Sequence, residues 1–305
     1  MKKKITVVVP TFNRKEYLRV ALNSLFAQTE CDFAILISDN CSTDGTKDEF
    51  AYIRQPNCTY VRNQNPVSAY DNWKNALSLV ETDYVCFLGD DDWLGPQFIA
   101  NHHAVLAKHP EVSCSFSSFT RVDSLGDILG VVKLPMAGIV AASQFAEGAL
   151  GHNPFITTCV FRISELKEAW AKTASYEFQV DFGLGFDYML LLYLSHMPGY
   201  FHAGSHGDQV FVRLHPGSAT NEYSVKMYDE TFGFLLHFLA HDLNEAILSK
   251  KQVLAEISMW SIQASRGYRK TSYWQNLKWA IRALYYAPMN RHSLANGFKS
   301  ILAIR

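Results

Sequence analysis

Asp90, Asp91 and Asp92 follow one another directly after Gly89, at the end of the apolar run Val85-Cys86-Phe87-Leu88. That run is nearly continuous rather than alternating, which predicts a strand buried on both faces. Three adjacent carboxylates repel one another, and folding gains nothing by crowding them at a strand end. A divalent cation removes that penalty, because Mg²⁺ and Mn²⁺ prefer hard oxygen ligands. A cation held by only one or two carboxylates keeps open positions, which substrate phosphates usually fill. The plain alternative is a solvated turn, with Asp92 capping a helix that starts near Pro96.

Two more polar clusters stand at predicted strand ends. Thr11 to Arg14 follows the apolar stretch Ile5 to Val9, and Asp39 to Thr46 follows Phe33 to Ile37. In open α/β sheets, ligands sit outside the carboxyl ends of the strands. A dinucleotide fold needs a G-x-G-x-x-G turn after its first strand. Here Pro10-Thr11-Phe12-Asn13 stands in that place, which argues against a nicotinamide enzyme, and no Walker loop is present.

The elements that must hold these clusters are legible from periodicity. Asn13 is expected to cap a helix with Glu16 three residues on, as in a capping box. Leu18, Ala21, Leu22, Leu25 and Phe26 then share one face. Thr59 to Arg62 reads as a third strand. Ser68 to Val80 reads as a helix with Ala69, Ala76, Leu77 and Val80 inward. Strands alternating with helices at this spacing predict a parallel sheet with right-handed crossovers. Beyond Pro110 the pattern loosens. Val112 to Val122 reads as one strand, Thr158 to Arg162 and Gln209 to Leu214 as two more. Gly183-Leu184-Gly185-Phe186-Asp187 opens an apolar helix from Tyr188 to Ser195, and from about Val225 only helical periodicity is present.

Composition sets the outer limits. The chain has 305 residues, is 48% apolar and carries a net charge of -1, as expected of a globular protein with a sizeable core. That balance gives no reason to expect a nucleic-acid partner. The six cysteines, Cys31, Cys41, Cys58, Cys86, Cys114 and Cys159, have no CxxC spacing and read as reduced thiols. Met1-Lys2-Lys3-Lys4 resembles the start of a leader, but Ile5 to Val9 is too short for its apolar core. No apolar run reaches the roughly 18 residues of a membrane span. The expectation is a cytoplasmic protein, soluble or peripheral at the inner face of the membrane.

Val7-Val8-Val9-Pro10-Thr11-Phe12-Asn13-Arg14, Ser38-Asp39-Asn40-Cys41-Ser42-Thr43-Asp44-Gly45-Thr46 and Leu88-Gly89-Asp90-Asp91-Asp92-Trp93-Leu94 together resemble the family 2 glycosyltransferases of the GT-A fold. The variants Ser38-Asp39-Asn40 and Gly89-Asp90-Asp91-Asp92 are similar to those of bacterial enzymes building surface polysaccharides, including the abequosyltransferase-like group. The resemblance implies an α/β fold, a Rossmann-like mixed sheet flanked by helices, with a C-terminal helical extension. It implies a catalytic domain over 1–222, with a nucleotide-binding half 1–110 and an acceptor half 111–222, followed by a helical region 223–305.

The resemblance also implies roles. Asp39 would read the donor's base beside the Pro10-Thr11 backbone, with Asn13 and Arg14 also on the donor. The alternative for Asp39 is an Asx-turn or cap. Asp90 would contact ribose or metal, and Asp91 would be the main Mn²⁺ or Mg²⁺ ligand, with Asp92 in the same shell. The family more often has Asp-x-Asp here, with Gly89 at the place of the first aspartate. Asp187 would be the general base for an acceptor hydroxyl, or else a helix cap. Arg213-Leu214-His215-Pro216-Gly217-Ser218 resembles a loop over the donor diphosphate, with Arg213 on a phosphate and His215 completing the metal shell. Trp73 and Trp93 read as core or as walls for a sugar ring.

The implied reaction is inverting transfer from a nucleotide-sugar donor to a hydroxyl of a glycan or lipid-linked acceptor. A sugar nucleotidyltransferase would need a glycine-rich basic loop after the first strand, which is missing. The other rival is a non-catalytic carbohydrate-binding or assembly protein on the same fold. No acidic residue follows Glu256, while Lys278, Arg282 and other bases do. Ser272 to Ala287 predicts a helix with Trp274, Leu277, Ile281, Leu284 and Tyr285 on one face. Such a stripe suits an anionic membrane surface, or packing on the catalytic domain or on a second subunit in an oligomer.

Overall fold

The computed structural model describes residues 4–30, 32–51, 53, 55, 57–134, 136–152, 156–174, 176, 186–204, 210–218, 224–268, 275, 278–279, 281–282 and 285. The first half alternates β1 (Ile5–Thr11), α1 (Lys15–Phe26), β2 (Phe33–Asp39), α2 (Thr46–Phe50), β3 (Cys58–Arg62), α3 (Ala69–Ser78) and β4 (Tyr84–Phe87). There follow β5 (Trp93–Leu94), α4 (Phe98–Lys108), β6 (Val112–Ser117), β7 (Phe119–Val122), β8 (Ile128–Val132), β9 (Gly138–Ala141), α5 (Ala142–His152), β10 (Cys159–Arg162), α6 (Ile163–Thr173), α7 (Phe186–Ser195), β11 (Tyr200–Gly204) and β12 (Val210–Arg213). Two further helices span Ser224–His241 and Lys250–Tyr268.

The main sheet has the order β3-β2-β1-β4-β10-β6-β11-β9. Its first four strands run parallel, and β10 is antiparallel to both neighbours. β1 sits between β2 and β4, with Thr11 opposite Asp39. The carboxyl ends of three strands therefore meet at one edge, and each end carries one of the polar clusters. The β1 strand is buried on both faces: Val7 and Val9 join one core with Leu18, Leu22 and Leu25, while Val8 joins another with Ala76 and Leu77. Burying each such side chain contributes about 1.5–3 kcal/mol, which explains why the strand reads as one apolar run.

Several local expectations are corrected. Asn13 does not cap α1: Arg14 is the N-cap residue without a side-chain bond, and Asn13 sits at φ 54°. Asp44 instead accepts from the Lys15 N–H at 2.9 Å and from Thr46 in its own turn. Phe26 and Ala69, expected inward, are exposed. Asp92 does not cap α4, which begins at Phe98 after Gln97. The expected strand Val112 to Val122 is two strands, β6 in the main sheet and β7 in a second sheet of order β5-β12-β7-β8. The break falls at Ser118, whose Oγ accepts from the Leu134 N–H. Ser68 caps α3 by accepting from the Asp71 N–H.

α7 is buried along its length, apart from a partly exposed Asp187. The helices Ser224–His241 and Lys250–Tyr268 pack on each other, and their Phe234, Phe238, Val253 and Ile257 share a core with α7. Trp279 is fully buried, edge-on to Phe232 with ring centres 4.7 Å apart. Most of Ser272 to Ala287, the residues Gly183-Leu184-Gly185, and Cys31 lie outside the described residues. The five other cysteines are free thiols. Among the described residues no helix is long and apolar enough to cross a membrane.

Candidate active site

The three strand-end clusters and the late loop Arg213 to Ser218 are brought together around Asp91. Asp90 is buried, and its carboxylate accepts from Thr11 Oγ1 at 2.7 Å and from Arg14 Nη1 at 3.1 Å. Asp91 Oδ2 accepts from the same Arg14 Nη1 at 3.0 Å and lies 3.0 Å from His215 Nε2. Asp92 Oδ1 accepts from the Arg213 backbone N–H at 3.0 Å. Burial, with the Asp91 charge next, pushes Asp90 up to about 6 and Asp92 well above the usual carboxylate range. Arg14 and Thr11 pull Asp90 the other way, and Thr157 and the Arg213 N–H do so for Asp92. The crowding expected from the sequence is therefore real, and it costs these acids part of their ionisation.

The geometry at Gly89 favours a residue without a side chain. A Cβ there would stand 3.0 Å from Asp91 Oδ1 and 3.1 Å from Asp92 Oδ2. A side chain at position 89 would be tight and would make those two carboxylates give way by a few tenths of an ångström.

Arg213 is held more firmly than its sequence context suggests. Its Nε donates to the Asp91 carbonyl at 3.0 Å and its Nη1 to the Ser124 carbonyl at 2.9 Å. The guanidinium lies between the rings of Tyr17 and Trp93, 5.0 and 4.8 Å from their centres. Trp93 in turn stacks on Phe211. These bonds commit Arg213 to fastening β12 onto the aspartate turn. Arg14 Nη2 donates to the Gly217 carbonyl at 2.6 Å, so the late loop is tied down at both ends.

A second layer supports this cluster. Asn13 donates its N–H to Ser42 Oγ, and its Oδ1 accepts from the Thr43 N–H at 2.7 Å. Asp39 is fully buried, with its carboxylate accepting from the Ser42 N–H, Arg62 Nε and the Tyr60 hydroxyl. Its lone pairs are thus shared with three protein donors. Pro10 lies within β1 opposite Ser38, and the Thr11 carbonyl accepts from the Asn40 N–H.

Asp187 stands apart. Its Oδ1 accepts from the Tyr188 N–H at 2.9 Å, and burial raises its pKa against the pull of its own turn's N–H groups. Among the described residues no hydrogen bond joins it to Asp90, Asp91 or Asp92. The link is aromatic: Phe186 meets Trp73 edge-on at 5.3 Å, and Trp73 stacks on Phe87 at 4.8 Å, two residues before Gly89.

Among the described residues no three His, Cys, Asp or Glu side chains are already gathered into a cation cage. The chemistry of the donor set nevertheless fits Mg²⁺ or Mn²⁺: carboxylate oxygens and one imidazole converge at Asp91, where the crowded negative charge favours a cation. Sequence reasoning missed Tyr17, Thr157 and the Gly217 carbonyl. Tyr17 lies one turn along α1 from Arg14, a spacing that was readable. Thr157, whose Oγ1 accepts from the Gly89 N–H at 3.4 Å, carries no sequence signal.

Residues 6–126 match the family described as glycosyl transferase family 2. The abequosyltransferase RfbV of Salmonella typhimurium is 38% identical over 101 residues, 32% of this chain and 30% of that protein. The GalNAc(5)-diNAcBac-PP-undecaprenol beta-1,3-glucosyltransferase of Campylobacter jejuni is 36% identical over 94 residues, 30% of each chain. The matches thus span about a third of these relatives. The crystal structure of S. aureus TarS 1–349 in complex with UDP-GlcNAc superposes with a TM-score of 0.72 at 17% identity, covering 99% of this chain and 90% of that one. With its strand-end motifs converging on Asp91, the chain is similar over residues 6–126 to glycosyl transferase family 2, and it has a GT-A fold.

Proposed function

We infer that this chain is an inverting, metal-dependent glycosyltransferase that moves a sugar from a nucleotide-sugar donor to a hydroxyl of a bacterial surface glycan. The observation that carries this reading is the convergence of Thr11, Arg14, Asp90, Asp91 and His215 at the carboxyl edge of the parallel strands. The relatives' names support the class: an abequosyltransferase and a glucosyltransferase named for an undecaprenol-linked glycan. The neighbour TarS was crystallised with UDP-GlcNAc.

In the proposed reaction an acceptor hydroxyl oxygen bonds to the anomeric carbon of the donor from the face opposite the diphosphate. The bond from that carbon to the diphosphate oxygen breaks, and its electron pair leaves with the nucleoside diphosphate. Asp187 takes the hydroxyl proton. A pKa raised by burial makes its carboxylate a better base than an ordinary aspartate. Asp91, with His215 and Asp92 beside it, would hold the cation, which supplies Lewis-acid stabilisation of the departing diphosphate. Pro10, Thr11, Asn13 and Asp39 would border the nucleoside and Arg14 the phosphates, while Arg213 would hold the late loop beside them rather than meet a phosphate itself.

The acceptor half, 111–222, would take the glycan, and the helical region 223–305 would bring the chain to an anionic membrane. Ile281 and Tyr285, on the predicted stripe, are exposed.

A thermal-shift panel of nucleoside diphosphates with and without Mn²⁺ tests the reading. At a ligand concentration of 100 Kd the stabilisation is about 2.7 kcal/mol. One base should stand out, and only with the metal. No shift with any nucleoside diphosphate overturns the reading.

A further inference from the structure

The cluster around Asp91 already contains a cation of the protein's own. Arg14 Nη1 bridges Asp90 Oδ1 at 3.1 Å and Asp91 Oδ2 at 3.0 Å, and Nη2 reaches the Gly217 carbonyl at 2.6 Å. The two carboxylates are 6% and 16% exposed, so this pairing is shielded from solvent far more than a surface ion pair. Arg14 itself is more open, at 26%, and its long side chain starts from the residue before α1. It is the more exposed partner of a largely buried pair of acids.

The oxygen it occupies is the decisive one. Asp91 Oδ2 faces both Arg14 Nη1 and His215 Nε2, so guanidinium and imidazole converge on one oxygen. A carboxylate oxygen has two lone pairs, and with Arg14 on one side and His215 Nε2 on the other none is left for close coordination of a hard ion. A guanidinium also repels any divalent ion placed beside it. Arg14 and a divalent cation thus have the same partner and cannot share it.

We propose that Arg14 is the resident counter-ion of the Asp90–Asp91 pair, and that it competes with a divalent cation for Asp91 Oδ2. Arg14 yields that oxygen as the cation is taken up, and in leaving it also gives up the Gly217 carbonyl. Uptake of the cation is therefore linked to release of the loop from Arg213 to Ser218. The inference rests on the cation reading under Proposed function.

The test is binding of Mn²⁺ to the full chain without nucleotide, followed by the electron paramagnetic resonance signal of free Mn²⁺. Arg14→Gln keeps a polar side chain but removes the charge, and should bind Mn²⁺ about tenfold more tightly than the parent. Arg14→Lys keeps the charge on a single ammonium that cannot bridge two carboxylates and a carbonyl, and should fall between the two. In EDTA, Arg14→Gln should melt below the parent and recover more than the parent does when Mn²⁺ is added. Unchanged or weaker Mn²⁺ binding in a folded Arg14→Gln overturns the proposal. Should Arg14→Gln fail to fold, Arg14→Lys with parental affinity overturns it equally. If neither parent nor variant binds Mn²⁺, the cation reading fails and this inference falls with it, an outcome distinct from equal affinities.

Discussion

His215 Nε2 stands 3.0 Å from Asp91 Oδ2 across 124 residues of sequence, with its ring 4.8 Å from that of Tyr17. The late loop and the aspartate turn are therefore one site, and Asp91 is its centre. Asp91→Asn keeps the size of the side chain and removes the charge that raises both Asp90 and Asp92. Transfer and Mn²⁺-dependent nucleotide binding should be lost, while the melting temperature holds or rises slightly. Full transfer in EDTA by the parent protein would show that no metal is needed.

Asp187→Asn should lower kcat by roughly 10²–10⁴-fold with donor affinity nearly unchanged, as expected for a group that acts on the acceptor hydroxyl alone. Burial raises the Asp187 pKa above its ordinary 3.8, so the parent's rate should fall on acidification at a higher pH than an exposed aspartate would give. Loss of donor binding in the variant would make the residue a donor contact instead.

Glu256 offers a stability test. Burial pushes its carboxyl up to about 7 from 4.5, although Tyr188 and Trp260 donate to it and favour the charged form. The folded chain therefore holds a proton that the unfolded chain releases above pH 4.5. The stability this proton confers is complete below pH 4.5 and is lost as pH rises to about 7, a change on the order of 3 kcal/mol. Glu256→Gln keeps an acceptor for both donors and cannot titrate. Its melting temperature should gain on the parent's steadily between pH 4.5 and 7. Parallel profiles would mean that Glu256 ionises normally in the folded protein.

The C-terminal stripe has a design constraint that the sequence alone did not reveal. The Arg282 guanidinium lies 4.6 Å over the rings of both Phe232 and Trp279, so reversing its charge would disturb packing as well as any membrane contact. Lys278→Glu with Ile281→Asp is the cleaner pair, since both side chains are exposed. The parent should float with anionic but not neutral liposomes, more weakly in salt, and the double variant should stay behind. Equal flotation of both proteins would remove this helix from the membrane contact.

The parallel half was legible because β1, β2 and β4 are buried on both faces and read as unbroken apolar runs. Their polar ends can therefore be placed at one sheet edge from the sequence alone. Asn13 was misread because a capping box and a left-handed turn start with the same residue types, and φ is not visible in sequence. Val112 to Val122 was misread because buried serines imitate a single alternating strand, while Ser118 marks a change of sheet. Tyr60 and Arg62 were placed on a strand, but their bonds to Asp39 depend on the β2–β3 register. The Gly217 carbonyl is a backbone group, which no residue type announces.

The ring series Phe186, Trp73 and Phe87 fixes a distance as well as filling space. Phe186 precedes the proposed base, and Phe87 precedes the aspartate turn, so under the proposed function the close-packed rings between them would act as a gauge for the gap between donor and acceptor. Trp73 also follows Asn72, whose side chain bonds to Ser38 Oγ and to the Ser38 carbonyl on β2. A smaller residue at position 73 would thus alter the spacing of donor and acceptor without removing any polar group of the site. Variants there are a route to changing which acceptors are aligned for attack, without rebuilding the chemistry that attacks.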